Sequence, residues 1–149
     1  PFVDLGTNAV AVTAAIGEQR TCAILDNDSL KCWGRNFNGQ LGYGDTENRG
    51  DGNGAMGDAL PIVSLGSGKL PVKLSLGRDH TCSTFEDGSL KCWGSNTDGQ
   101  LGYGDIDTRG DAADDMGDNL PEVNLGLAER SWQFLSEQRT AALRSTTVT

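Results

Sequence analysis

Between Val72 and Leu76 apolar and polar residues alternate, as Val72-Lys73-Leu74-Ser75-Leu76, and this period of two predicts a short strand. Two further runs, Thr81-Cys82-Ser83-Thr84-Phe85 and Ser89-Leu90-Lys91-Cys92-Trp93, flank Glu86-Asp87-Gly88. Strand-forming runs on either side of a turn that ends in glycine predict a hairpin with Gly88 in the left-handed conformation. Upstream, Asp28 stands in the matching place, and aspartate tolerates that conformation better than most residues. Such a turn sets Cys82 opposite Cys92, and Cys22 opposite Cys32. Beyond each hairpin the periodicity stops. Residues 45–58 and 105–118 are rich in Gly, Asp and Asn and predict long ordered loops, closing at Met56-Gly57-Asp58 and Met116-Gly117-Asp118. After the first loop, Leu60, Val63 and Leu65 predict one more short strand, with Pro61 marking an edge or a strand start.

These signals come round again. Lys31-Cys32-Trp33-Gly34 and Gly39-Gln40-Leu41-Gly42-Tyr43-Gly44-Asp45 return, from Lys91 to Asp105, at an offset of 60 residues without a gap. Self-similarity at one fixed period marks a repeat architecture. The phrase Pro-x-Val-x-Leu-Gly keeps the same spacing at Pro1, Pro61 and Pro121. It divides the chain into 1–6, the end of a preceding unit, then 7–66, 67–126 and a degenerate third start or tail, 127–149. In the tail, Glu137-Gln138-Arg139-Thr140-Ala141 mirrors Glu18-Gln19-Arg20-Thr21-Cys22, with Ala141 where the first cysteine would stand. Residues 131–143 fit a strand better than a helix, although Ala128, Trp132, Leu135 and Ala142 also lie near helical spacing.

Composition narrows the class. Gly is high at 21 while Pro is only 4, which suits a turn-rich β protein rather than collagen or a disordered linker. The net charge of −9 argues against nucleic acid, whose phosphates need a basic stripe, and against anionic membrane surfaces. No apolar run approaches the roughly 20 residues that span a bilayer. The chain opens on Pro1 without an initiator methionine, so a processed or partial product is expected.

The pattern His80-Thr81-Cys82, a hairpin, then Trp93-Gly94-x-Asn96-x-x-Gly99-Gln100-Leu101-Gly102 resembles the regulator of chromosome condensation repeat. The cysteine-bearing form with Gly-Tyr-Gly-Asp is similar to repeats in proteins of some bacteria and algae. The resemblance implies an all-β fold, a partial β-propeller: an arc of about two four-stranded blades plus an incomplete third, where a full ring takes about seven. Under it, Trp33, Gly34, Gly39, Gln40 and their counterparts Trp93, Gly94, Gly99, Gln100 are blade-corner residues. Trp33, Leu41 and Tyr43 supply packing between blades, and Asn36 and Gln40 satisfy backbone groups. Two units leave an inter-blade face open, and exposed apolar faces mark contact surfaces.

Chemistry is sparse. Cys22, Cys32, Cys82 and Cys92 form two Cys-x₉-Cys pairs that read as disulfides rather than free thiols or a zinc site, which needs four converging ligands. That places the chain in an oxidising compartment, extracytoplasmic or an organelle lumen such as that of the algal chloroplast. Asp45, Glu47 and Asp51, like Asp105, Asp107 and Asp111, partly mimic a calcium loop. Arg49 and Arg109 sit at ligand positions, however, and Met56 and Met116 replace the twelfth-position glutamate, so each arginine is expected to pin its loop by a bidentate pair with aspartate. Arg49-Gly50-Asp51 and Arg109-Gly110-Asp111 spell an adhesion tripeptide that short motifs produce by chance. The one histidine, His80, has Arg20 in its matching place and supports no catalytic triad; backbone hydrogen bonding is its expected role.

The expectation is therefore a non-enzyme without cofactor or metal: a protein-binding or scaffolding module, an accessory subunit or fragment docked in a larger assembly. Its partners are proteins rather than nucleic acid, membrane or a small-molecule substrate. The alternatives are nucleotide exchange on a small GTPase, or a secreted inhibitor or adhesion module. Arg130, Trp132, Phe134 and Leu135 in the tail are the candidate partner contacts, aromatic residues being common interface anchors.

Overall fold

The computed structural model describes residues 2–126. Its strands are β1 (Ala11–Ile16), β2 (Arg20–Leu25), β3 (Leu30–Gly34), β4 (Pro71–Leu76), β5 (His80–Phe85) and β6 (Leu90–Gly94). They form two antiparallel three-stranded sheets, ordered β1-β2-β3 and β4-β5-β6. Every element of the first recurs in the second at the sequence period, down to short 3-10 turns at Gly57–Ala59 and Gly117–Asn119.

Both hairpins close as their turn residues dictate. Leu25 N–H donates to Ser29 C=O at 2.9 Å, and Phe85 N–H to Ser89 C=O at 3.0 Å. The left-handed residue before each return strand is Asp28 (φ 63°) in one turn and Gly88 (φ 82°) in the other. The register then pairs Cys22 with Cys32 and Cys82 with Cys92.

The expected fourth strand of each blade is not formed. Residues 60–65 run beside β3, but a single ladder bond, Val63 N–H to Leu30 C=O at 2.8 Å, joins them. Pro61 has no N–H to offer, and its carbonyl accepts instead from the Tyr43 hydroxyl at 3.1 Å. The apolar pattern is still honoured, since Leu60, Val63 and Leu65 are all buried. The sheets are therefore three-stranded with a packed but unladdered flank.

One hydrophobic cluster serves both units. Ile24, Leu30 and Leu41 of the first and Leu74, Phe85 and Trp93 of the second belong to it. The sheets do not close on themselves, which is the arrangement of a propeller arc.

Candidate functional site

The joint between the two units defines what an open face should look like. Gly39 has φ 69°, and a Cβ there would lie 2.4 Å from the Asp111 backbone nitrogen. A Cβ on Gly42 would lie 2.7 Å from Trp93 Nε1. Glycine is thus required where the corner of the first unit meets the second, because any side chain would force the backbones apart. Trp93 is 0% exposed beneath this corner, and its Nε1 finds no hydrogen-bond partner. Burial of the large indole outweighs that orphaned donor.

Polar groups lock the same joint. The Arg20 guanidinium donates to the carbonyls of Arg78 at 2.7 Å, Gly77 at 3.0 Å, and also His80. Thr81 Oγ1 donates to Gln40 C=O at 2.8 Å, and Gly44 N–H to Gly110 C=O at 3.1 Å. Arg20 is 4% exposed, and burial lowers its pKa while Asp79 opposes the shift. Lys91, also buried, holds the carbonyls of Leu65 at 3.0 Å and Gly117 at 2.9 Å. It thereby ties the end of the first unit to the second.

The corner residues hold their own loops. Gly34 and Arg49 exchange backbone bonds, as do Gly94 and Arg109. Gln40 Oε1 accepts from Asn38 N–H at 2.8 Å and Gln100 Oε1 from Asp98 N–H at 2.9 Å. Asn36 Oδ1 accepts from Leu41 N–H at 2.8 Å while its amide donates to Asp45 C=O at 2.9 Å. Arg109 meets Asp105 through two bonds, at 3.0 and 2.8 Å, whereas Arg49 reaches Asp45 through one, at 2.6 Å. Each guanidinium also lies over a tyrosine ring, Tyr43 at 5.1 Å and Tyr103 at 4.6 Å. No group of three or more His, Cys, Asp and Glu among the described residues is arranged to hold a metal.

The cysteine sulfurs lie at bonding distance, 2.09 Å for Cys22–Cys32 and 2.11 Å for Cys82–Cys92. His80, at the start of β5, has its ring against Gly77 and makes no side-chain hydrogen bond among the described residues, contrary to its expected role. Burial and the nearby Arg20 charge lower its pKa. Arg130, Trp132, Phe134 and Leu135 lie outside the described residues, as does the strand-or-helix question for 131–143.

The two ends of the arc differ from the joint. Trp33, the counterpart of Trp93, is only half-buried, and no neighbouring unit covers it among the described residues. Gly99 repeats the left-handed conformation of Gly39, with φ 71°, but a Cβ there would meet nothing closer than Asp105 C=O at 3.7 Å. Among the described residues both ends therefore present the halves of a joint that is complete between the units. Trp33, expected to pack between blades, has no unit over it among the described residues, and sequence reasoning missed the Arg20 clamp, whose one signal was the break in symmetry at His80.

A family model, the regulator of chromosome condensation (RCC1) repeat, matches residues 10–40 and 72–100. The ultraviolet-B receptor UVR8 of Arabidopsis thaliana is 35% identical over 92 residues, covering 61% of this chain and 19% of the receptor. The protein RCC2 homolog of Xenopus laevis is 37% identical over 99 residues, covering 66% of this chain and 18% of the relative. The chain thus spans less than a fifth of the length of either relative. The crystal structure of human WBSCR16 superposes with a TM-score of 0.55 at 19% identity, over 69% of this chain and 25% of that one, a likeness of fold.

Proposed function

Because this chain belongs to the regulator of chromosome condensation repeat family, we propose that it is a non-catalytic protein-interaction module, an arc of blades docked in a larger protein assembly. The observation that carries this reading is the contrast between the two tryptophans. Trp93 is sealed by the corner of the preceding unit, whereas Trp33 is half-buried, with no unit over it among the described residues. Apolar surface left partly uncovered at an unfilled joint is a usual mark of a protein contact. The remaining machinery is spent on architecture: Arg20, Lys91, Asn36 and the loop arginines all hold backbone of their own chain. No helix among the described residues is long and apolar enough to cross a membrane. The paired cysteines support an oxidising setting, outside the cytoplasm or in an organelle lumen.

Native mass spectrometry of the protein isolated under mild conditions tests this reading. A stoichiometric protein companion that Trp33→Arg releases, while the chain stays folded, is the expected result. A lone chain whose Trp33 fluorescence is freely quenched by iodide would overturn it.

A further inference from the structure

A second surface lies between the units, away from the open ends. β1 and β4 touch one another, and the turn between β2 and β3 lines a cavity together with them. Together they enclose a half-open cavity of about 220 Å³. Its walls are Val12 and Val72, which are 67% and 54% exposed, and its lining includes the buried Leu25. Asp26, Asp28 and Glu86 also line it.

Most other carboxylates among the described residues are engaged by a side chain or backbone donor. Asp45 and Asp105 are held by arginines, Asp87 by Lys69, and Asp58 and Asp118 by the hydroxyls of Thr7 and Ser67. Asp26 accepts one long bond, from Val10 N–H at 3.4 Å. Asp28 and Glu86 have neither an ion pair nor a side-chain hydrogen bond among the described residues. The groove thus offers apolar walls and uncommitted negative charge, on a chain whose net charge is −9.

We propose that this groove binds an arginine-bearing basic peptide segment of a partner protein. Arginine is the side chain whose chemistry fits both parts. Its aliphatic stem can lie along Val12 and Val72, and its weakly hydrated, planar cation can meet carboxylates without a large desolvation cost. The cavity is smaller than the roughly 300–1,000 Å³ pockets that hold drug-sized ligands, so it suits one long side chain of a peptide. Excess negative charge also draws a basic segment to the surface before contact. The inference rests on the reading of the chain as a protein-interaction module, but not on its open ends, since both units build the groove.

Fluorescence anisotropy of a labelled octapeptide of alternating arginine and glycine, titrated with the full chain, tests the proposal. Saturable binding is expected, lost when citrulline replaces arginine and weakened by added salt. The double substitution Asp28→Asn with Glu86→Gln should weaken it about tenfold. Asn keeps the left-handed turn at position 28 accessible, so the hairpin is preserved. The control pair Asp51→Asn with Asp98→Asn removes the same charge from exposed sites elsewhere and should change binding by less than about twofold. Absence of saturable binding, equal binding of the citrulline peptide, or equal weakening by both pairs would overturn the proposal. None of these outcomes bears on whether Trp33→Arg releases a companion, so the two readings fail separately.

Discussion

Cys32 sits opposite Cys22 with Cα atoms 4.1 Å apart. Such close approach belongs to the residue pairs of an antiparallel ladder that do not exchange backbone bonds, so the N–H and C=O of Cys32 point outward. The Tyr43 hydroxyl serves both, accepting from the N–H at 3.0 Å and donating toward the C=O at 2.8 Å, with Pro61 C=O also in reach. Tyr103 repeats this at Cys92. One phenol per unit thus stands in for the rungs that a fourth strand would have supplied. Burial pushes the Tyr43 pKa up to about 12 from the ordinary 10.0, against the lowering effects of the Cys32 backbone bond and Arg49. A raised pKa means that the folded chain keeps its proton where the unfolded chain has lost it. The stabilisation is therefore complete below about pH 10 and disappears as pH rises from there toward 12. Tyr43→Phe should flatten this alkaline loss and cost roughly 1–3 kcal/mol at neutral pH, since backbone groups lose their partner. Spectrophotometric titration of tyrosinate checks it: with both tyrosines raised, an ordinary midpoint near pH 10 would refute this account.

At the scale of elements, the hairpins were the most legible part of the chain. Alternation, turn residues and cysteine spacing all pointed to one register, and such agreement among local signals marks a strongly specified element. The flank at 60–65 was legible only in half. Its apolar spacing reported burial correctly for Leu60, Val63 and Leu65, but periodicity cannot count hydrogen bonds. Proline at 61 and a competing phenol removed the rungs that would have made it a strand. The corner loops read well for the same reason as the hairpins: Asn36, Gln40 and Arg49 act on neighbours close in sequence. If each cysteine pair is a disulfide, the bridge closes a loop with a sequence separation of 10. Replacing Cys22 and Cys32 together by alanine should then cost roughly 2–3 kcal/mol in urea denaturation. Mass measurement after alkylation of the native, unreduced protein should find no modified thiol. Four modified thiols would show that the sulfurs, though adjacent, are not bonded.

At the scale of the whole molecule, the offset between units was plain in the sequence, while the joint between them was not. A repeat pattern shows that each unit must bury a face on its neighbour, but the means differ from place to place. Arg20 reaches carbonyls of the second unit from the first, and its counterpart in the next unit is His80. Only the folded chain brings Gly77, Arg78 and His80 around that guanidinium, so the sequence carried no sign of it beyond the break in symmetry at His80. The tryptophans carry the same lesson in sharper form. They occupy identical places in identical motifs, yet one is fully interior and the other only half-buried. The central claim is that this surface is a unit-to-unit contact, filled at Trp93 and, among the described residues, left partly open at Trp33. Urea denaturation of Trp93→Ala and Trp33→Ala, measured side by side on the isolated chain, tests it most directly. Trp93→Ala should lose about 3–5 kcal/mol, as a fully buried indole does on truncation, and Trp33→Ala less than half as much. Equal losses at the two positions would contradict the account.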